Sequence, residues 1–233
     1  MINTTTTTKT STPDIDQGLR SYMLSVYNNM FLALALTGLT SSIVAGSPQL
    51  IELVFNSSFK WVVMLAPFAF ILAMSFGLNK MKLGTLHLLF WSFSIVMGMS
   101  LSATFLAYTG ESLARVFFIT AGTFAAMSIY GYTTNRDLSK YGSLLIMGLF
   151  GLIIAMIVNI FLVSNAMHFV ISVVGVMIFV AFTAYDTQKI KLIYSSSENS
   201  DTLSKKAIMG SLSLYLDFVN LFVMLLSFLG DRK

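Results

Sequence analysis

The chain alternates between long apolar runs and short polar connections over most of its length. Each run is close to the roughly 20 residues that an α-helix needs to cross the hydrocarbon core of a bilayer. The runs therefore predict an all-α, polytopic membrane bundle of seven transmembrane helices. They cover Tyr27–Ala45, Trp61–Asn79, Thr85–Tyr108, Ala114–Tyr132, Ser143–Val163, Met167–Thr187 and Ala207–Leu229.

The polar segments leave no room for a soluble domain. Residues 1–20 are rich in threonine and lack the apolar stretch of a signal peptide, so they are interpreted as a disordered cytoplasmic tail. The longest internal connection, Gln188–Lys206, is too short to fold by itself. Function is therefore expected within the transmembrane domain, residues 21–233.

Composition agrees with an integral membrane protein. Hydrophobic residues make up 56% of the chain and charged residues only 10%, against about a quarter in soluble domains. There is no cysteine, and the two histidines, far apart in the sequence, cannot form a zinc site alone. Since no nucleotide-binding loop or nucleophile–base pair is recognisable either, the protein is expected to need no cofactor and not to be an enzyme.

The net charge of +4 is carried by the connections between the apolar runs. Lysine and arginine accumulate in the cytoplasmic loops of membrane proteins, so this pattern indicates orientation in a bilayer rather than nucleic-acid binding. A cytoplasmic N-terminus places most basic residues inside, namely Lys9, Arg20, Lys80, Lys82, Arg136, Lys140, Lys189, Lys191, Lys205 and Lys206. It leaves Lys60, Arg115, Arg232 and Lys233 outside. Because Arg232 and Lys233 are basic, an alternative topology, in which the last segment re-enters toward the cytoplasm, stays open.

Two acids interrupt the apolar runs. Asp217 lies near the middle of the last run and Asp186 near the end of the sixth. The runs contain no lysine or arginine except Arg115, the second residue of the fourth run, so no cation in the interior of a run can neutralise either acid. A charged aspartate at the centre of a membrane helix costs about 2.5–3.5 kcal/mol, so both are expected to face the bundle interior. If they meet, both cannot readily ionise, and the pair should hold a proton near neutral pH as a pH-sensitive latch. Asp186 is also compatible with a simple interfacial position.

Polar neighbours are available to support this candidate ion-binding and pH-sensing site. Asn220 lies one helical turn after Asp217, and Tyr185 and Tyr215 offer hydroxyl groups near the two acids. Carboxylate oxygens suit calcium better than a transition metal. Because calcium takes about six to eight oxygen ligands, two carboxylates alone predict weak binding, completed by water or carbonyl groups.

Four stretches carry a family resemblance. These are LRSYMLSVYNNMFLALALTGL, YGYTTNRDLSKYGSLLIMGLFGLIIAMIVNIFL, AYDTQKI and LSLYLDFVNLF. With them the chain resembles the Bax inhibitor-1 family, the YccA/LFG-like membrane proteins, and its bacterial branch in particular. The resemblance implies a seven-helix bundle with the last helix central and a pH-sensitive calcium leak through paired aspartates, which match Asp186 and Asp217.

The resemblance also implies that a third residue can take part in the pH-sensitive latch beside the two aspartates. Bacterial members of the family can carry an arginine at the cytoplasmic end of the second helix and an acid within that helix. The second run of this chain contains no acid, and Lys80 is the nearest basic residue. Lys80 is therefore included among the supporting residues.

Two functions follow from these observations. The first is a calcium leak channel gated by protonation of the aspartate pair, with calcium as the permeant ion and the bilayer and protons as its other partners. The alternative is a regulatory adaptor that binds another membrane protein, for example a quality-control protease, without transport. The resemblance to the bacterial branch favours a bacterial inner membrane, and the endoplasmic reticulum is the other location considered.

Overall fold

The computed structural model describes residues 17–78 and 80–233. Within them, seven helices are long and apolar enough to cross a membrane, and no extended strand occurs. The predicted all-α bundle of seven membrane helices is confirmed. The seven are α1 (Gln17–Ala45), α3 (Phe59–Gly77), α4 (Leu83–Ala107), α5 (Gly110–Thr133), α6 (Gly142–Leu162), α7 (Asn165–Leu192) and α8 (Ser200–Leu229).

Between α1 and α3 the chain forms a short helical segment. It consists of α2 (Pro48–Ile51) and one π-helical stretch, Glu52–Asn56. Val54 of this segment is buried beside Val44 and Val63, at the neighbouring ends of α1 and α3. The segment is thus held against the bundle by apolar contacts and adds no further membrane span.

Two helices begin much earlier than the apolar pattern predicts, the first by ten residues and the last by seven. The first begins at Gln17, so the last residues of the predicted disordered tail are helical, while residues 1–16 lie outside the described residues. The last begins at Ser200 rather than Ala207, with the Asn199 side chain accepting a hydrogen bond from the Thr202 amide at 2.8 Å. These additional turns are polar, and hydropathy alone does not distinguish a polar helical turn from a loop.

The last helix, α8, lies at the centre of the bundle. Of its most apolar 18-residue stretch 56% is buried, against 28% or less for every other span. The helix packs against α1, α4, α5 and α7. Ser211 donates a hydrogen bond to the Val26 carbonyl of α1 at 2.8 Å, and Gly210 lets Ile190 of α7 approach closely. The central position expected for this helix is confirmed.

The seventh and eighth helices run antiparallel along their shared length. Gly210 lies against Ile190 near one end of the contact, and Gly175 lies against Met224 near the other. Because α8 continues unbroken from Ser200 to Leu229, the last segment contains no re-entrant turn. In contrast, α6 is peripheral, with only 6% of its apolar stretch buried and its main contact with α7.

The two ends of the bundle differ in charge. At one end α1 and α8 begin and α5 and α7 finish, and we call this the basic end. It carries Arg20, Lys80, Lys82, Arg136, Lys140, Lys189, Lys191, Lys205 and Lys206. At the opposite end the final residues close over the α4–α5 connection, where Asp231 pairs with Arg115 at 2.7 Å and accepts the Thr109 amide at 3.1 Å.

Candidate functional site

Asp217 is a buried carboxylate on the central helix. Only 6% of the residue is exposed, and its Oδ2 atom has no hydrogen-bond partner among the residues that the structure describes. Native proteins rarely leave a buried polar atom unpaired, because its lost hydration is not replaced. An unpaired carboxylate oxygen at this position therefore marks Asp217 as a candidate functional group.

Asp186 lies on the neighbouring helix α7 and is only half-buried. The charges of Asp186 and Asp217 interact, and Lys189, one turn further along α7, acts on Asp186. Neither acid belongs to an ion pair in the described part of the chain. The structure thus brings the two acids into one electrostatic site, while their role in ion binding and pH sensing stays a prediction.

The two tyrosines serve other contacts. The Tyr215 hydroxyl lies 2.8 Å from that of Thr37 on α1, and its ring packs edge-on against Phe93 of α4 at 5.3 Å. Two residues along a helix differ by about 200° around its axis, so Tyr215 and Asp217 face different neighbours. Tyr185 packs its hydroxyl end against Gly142 at the start of α6. Within the described residues no hydrogen bond joins either hydroxyl group to an aspartate, and their supporting role stays a prediction.

Asn220 and Lys80 likewise form no direct bond to the pair. Asn220 is half-buried one turn beyond Asp217, but no hydrogen bond joins the two side chains within the described ranges. Lys80 is exposed in the α3–α4 connection, where its amide donates to the Gly77 carbonyl at 2.9 Å. The charge of Lys189 acts on Asp186, and a supporting role for Lys80 stays a prediction.

A chain of hydroxyl groups beside the site was missed by the sequence analysis. Tyr27 of α1 lies 2.5 Å from the Ser128 hydroxyl of α5, and Ser128 lies 3.0 Å from the Thr187 hydroxyl of α7. Thr187 follows Asp186 directly, so these hydrogen bonds hold the part of α7 that carries this acid against α5. The only signal in the sequence was the presence of single hydroxyl residues within apolar runs, which does not reveal their partners.

The donors available to a cation are few. In residues 17–78 and 80–233 no group of three or more histidine, aspartate or glutamate side chains could hold a metal ion. Calcium takes about six to eight oxygen ligands, so Asp186 and Asp217 could supply only part of its shell. Two carboxylates would therefore hold a calcium ion only weakly.

The seven apolar helices, packed around a central α8 that carries a buried acid, place this protein among the polytopic α-helical membrane proteins. Residues 19–233 match the family described as "Inhibitor of apoptosis-promoting Bax1", and the chain therefore belongs to the Bax inhibitor-1 family. The resemblance identified in the sequence is confirmed.

Bacterial relatives match almost the whole chain. An uncharacterized protein, RP147, of Rickettsia prowazekii is 46% identical over 98% of this chain and 96% of its own length. The inner membrane protein YbhL of Escherichia coli K12 is 42% identical over 93% of this chain and 94% of its own. An uncharacterized Caulobacter vibrioides protein is 40% identical over 94% of this chain and 92% of its own.

Proposed function

We propose that this protein is a pH-sensitive calcium leak channel of a bacterial inner membrane, gated by protonation of Asp186 and Asp217. The observation that carries the proposal is the buried, unpaired Oδ2 atom of Asp217 beside a second acid on a neighbouring helix. The name of the relative YbhL, an inner membrane protein, supports the location.

Gating follows from the charge of the pair. When the two carboxyl groups share a proton, one negative charge remains at most, and α7 can stay packed against α8. Loss of that proton as the pH rises leaves two like charges in a poorly solvated site. Their free energy falls if the helices separate or if a cation enters between them. Because α8 contacts α1, α4, α5 and α7, a displacement of α8 would affect much of the bundle interior.

Calcium suits this chemistry because it is a hard divalent cation that prefers oxygen ligands. Its two charges offset those of two ionised aspartates. Conduction also needs an ion to leave its site, so binding has to be weak. A pair of carboxylates completed by water or carbonyl groups satisfies both requirements.

The proposal is tested by calcium flux into proteoliposomes that contain the purified protein, recorded over a range of pH. We expect flux to depend on pH in the wild type and to lose that dependence in Asp217→Asn, because asparagine resembles the protonated acid in charge and size. Asp201→Asn is the matched control, since Asp201 is exposed in the first turn of the same helix. It should keep the wild-type profile.

Two results would contradict this function. If Asp217→Asn and Asp186→Asn both retain the wild-type pH profile, the aspartate pair is not the gate. If the wild-type protein carries no calcium at any pH, the channel is wrong and the adaptor becomes the better-supported function.

One observation favours the adaptor as the second candidate. The peripheral helix α6 is almost entirely unburied within the bundle, and no atom of the described chain outside its own helix lies near the place of a side chain at Gly151. Glycine lets membrane helices approach closely. A partner helix could therefore pack on α6, and crosslinking from Ile154, one turn further along, would reveal that partner in cells.

A further inference from the structure

A large cavity lies between α1 and α5, and neither aspartate of the pair lines it. Its volume is about 670 Å³, within the range of about 300–1,000 Å³ that is usual for small-molecule sites. The wall on α1 includes Leu24 and Phe31, and the wall on α5 includes Ala125 and Ile129. Phe218 of α8 forms the floor, with its ring 5.5 Å from that of Phe124. We call this space the α1–α5 groove.

The interior of the groove is apolar. Of the three hydroxyl groups in its lining, those of Tyr27 and Ser128 are hydrogen-bonded to each other at 2.5 Å and thus offer little to water, and that of Tyr132 belongs to the residue at the end of the groove near Arg20. The groove opens toward the outside of the bundle, because Leu24, Phe31 and Ile129 at its edges are 51%, 56% and 64% exposed. In a membrane these side chains face hydrocarbon, so the groove is open to lipid chains from the surrounding leaflet.

The length of the groove matches one leaflet. Its lining on α1 extends from Arg20 to Phe31, which is about 16 Å at 1.5 Å per residue. On α5 it extends over the same length, from Ala121 to Tyr132. The hydrocarbon core of a bilayer is about 30 Å thick, so the groove covers about half of it. That half adjoins the basic end of the bundle.

The mouth of the groove is positively charged. Arg20 lines it and is exposed, and within the described ranges it forms no ion pair. Tyr132 lines the same end, where Lys191 lies 5.0 Å from its ring centre and donates to its carbonyl at 2.8 Å. Arginine binds phosphate with two parallel hydrogen bonds, and tyrosine rings favour the headgroup level of a membrane.

We propose that the α1–α5 groove binds an anionic phospholipid from the leaflet at the basic end. One acyl chain fills the apolar space down to Phe218, and the phosphate binds Arg20. Water is a poor occupant because the walls give it few hydrogen-bond partners. The proposal goes beyond the calcium leak and does not depend on it, since neither aspartate lines the groove.

The test uses photoactivatable phosphatidylglycerol, with a diazirine in its acyl chain, at trace level in phosphatidylcholine vesicles containing the full chain. Labelled peptides are identified by mass spectrometry, and we expect label on the groove walls of α1 and α5. Ala125→Phe fills the groove and should remove most of that label. Ala126→Phe is the matched control, because Ala126 is exposed on the same helix but does not line the groove.

The headgroup contact is tested separately with Arg20→Gln. Loss of one basic contact with the anionic headgroup of the probe should weaken labelling about fivefold. Arg136→Gln, at the same end but outside the groove, should leave it unchanged. Equal loss in Ala125→Phe and Ala126→Phe, equal labelling by a phosphatidylcholine probe, or crosslinking of a second copy of the chain through the groove would overturn the proposal.

Discussion

The hydroxyl groups of Thr37 and Tyr215 lie 2.8 Å apart and join the first helix to the last inside the bundle. Thr37 also donates its proton to the Ser94 carbonyl of α4 at 2.9 Å. Because a hydroxyl group has one proton to donate, Tyr215 must be the donor to Thr37. Three helices are therefore connected through one threonine.

This connection predicts unequal effects of its two partners on stability. Tyr215→Phe removes one donor and should lower the free energy of unfolding by about 0.6 kcal/mol, the mean for hydrogen bonds between membrane helices. Thr37→Val leaves the buried Tyr215 hydroxyl without its partner and should cost more, about 1–3 kcal/mol. Unfolding by denaturing detergent measures both. Tyr141→Phe, at an exposed tyrosine, is the control, and equal losses for the two partners would contradict the assignment of the donor.

A second prediction concerns the contact of α5 with α7. A side chain at Gly131 would collide with the backbone of Ala184, two residues before Asp186. Gly131→Ala should therefore separate the helices and lower stability by about 1–3 kcal/mol. Gly122→Ala on the same helix meets open space and should cause no loss. Similar thermal unfolding of the two variants would show that the close approach is unimportant.

A third prediction distinguishes a coupled aspartate pair from two independent acids. The double variant Asp186→Asn with Asp217→Asn should show a pH profile of calcium flux no flatter than that of either single variant. The reason is that interacting sites titrate as a unit, so one substitution already removes the coupled event. Flux in proteoliposomes measures this, and additive changes would indicate two separate titrations.

A fourth prediction concerns orientation. From the excess of lysine and arginine at the basic end we expect this end to face the cytoplasm. A topology reporter inserted at Ser197, in the α7–α8 connection, should be cytoplasmic, and one fused after Lys233 should be external. Reporters on the same side would mean that α8 does not span the membrane, and exchanged sides would mean an inverted bundle.

Much of the fold is already determined by the sequence. A run of apolar residues long enough to cross a bilayer has to satisfy its backbone hydrogen bonds within itself, so its length alone predicts a membrane helix. Seven such helices follow from local pattern, and the cost of a charge in hydrocarbon directs Asp217 inward. Polar turns such as those between Ser200 and Ala207 escape this reasoning, because they lie beyond the apolar runs.

Only the tertiary structure decides which side chains meet. Tyr215 is near Asp217 in the sequence, yet its hydroxyl group bonds to Thr37 on α1, a helix that is far away in the sequence but packed against α8. The α1–α5 groove is likewise invisible in either helix alone, because it arises where the two helices separate above Phe218. Helix formation depends on residues a few positions apart, whereas helix contacts depend on how surfaces far apart in the sequence fit together.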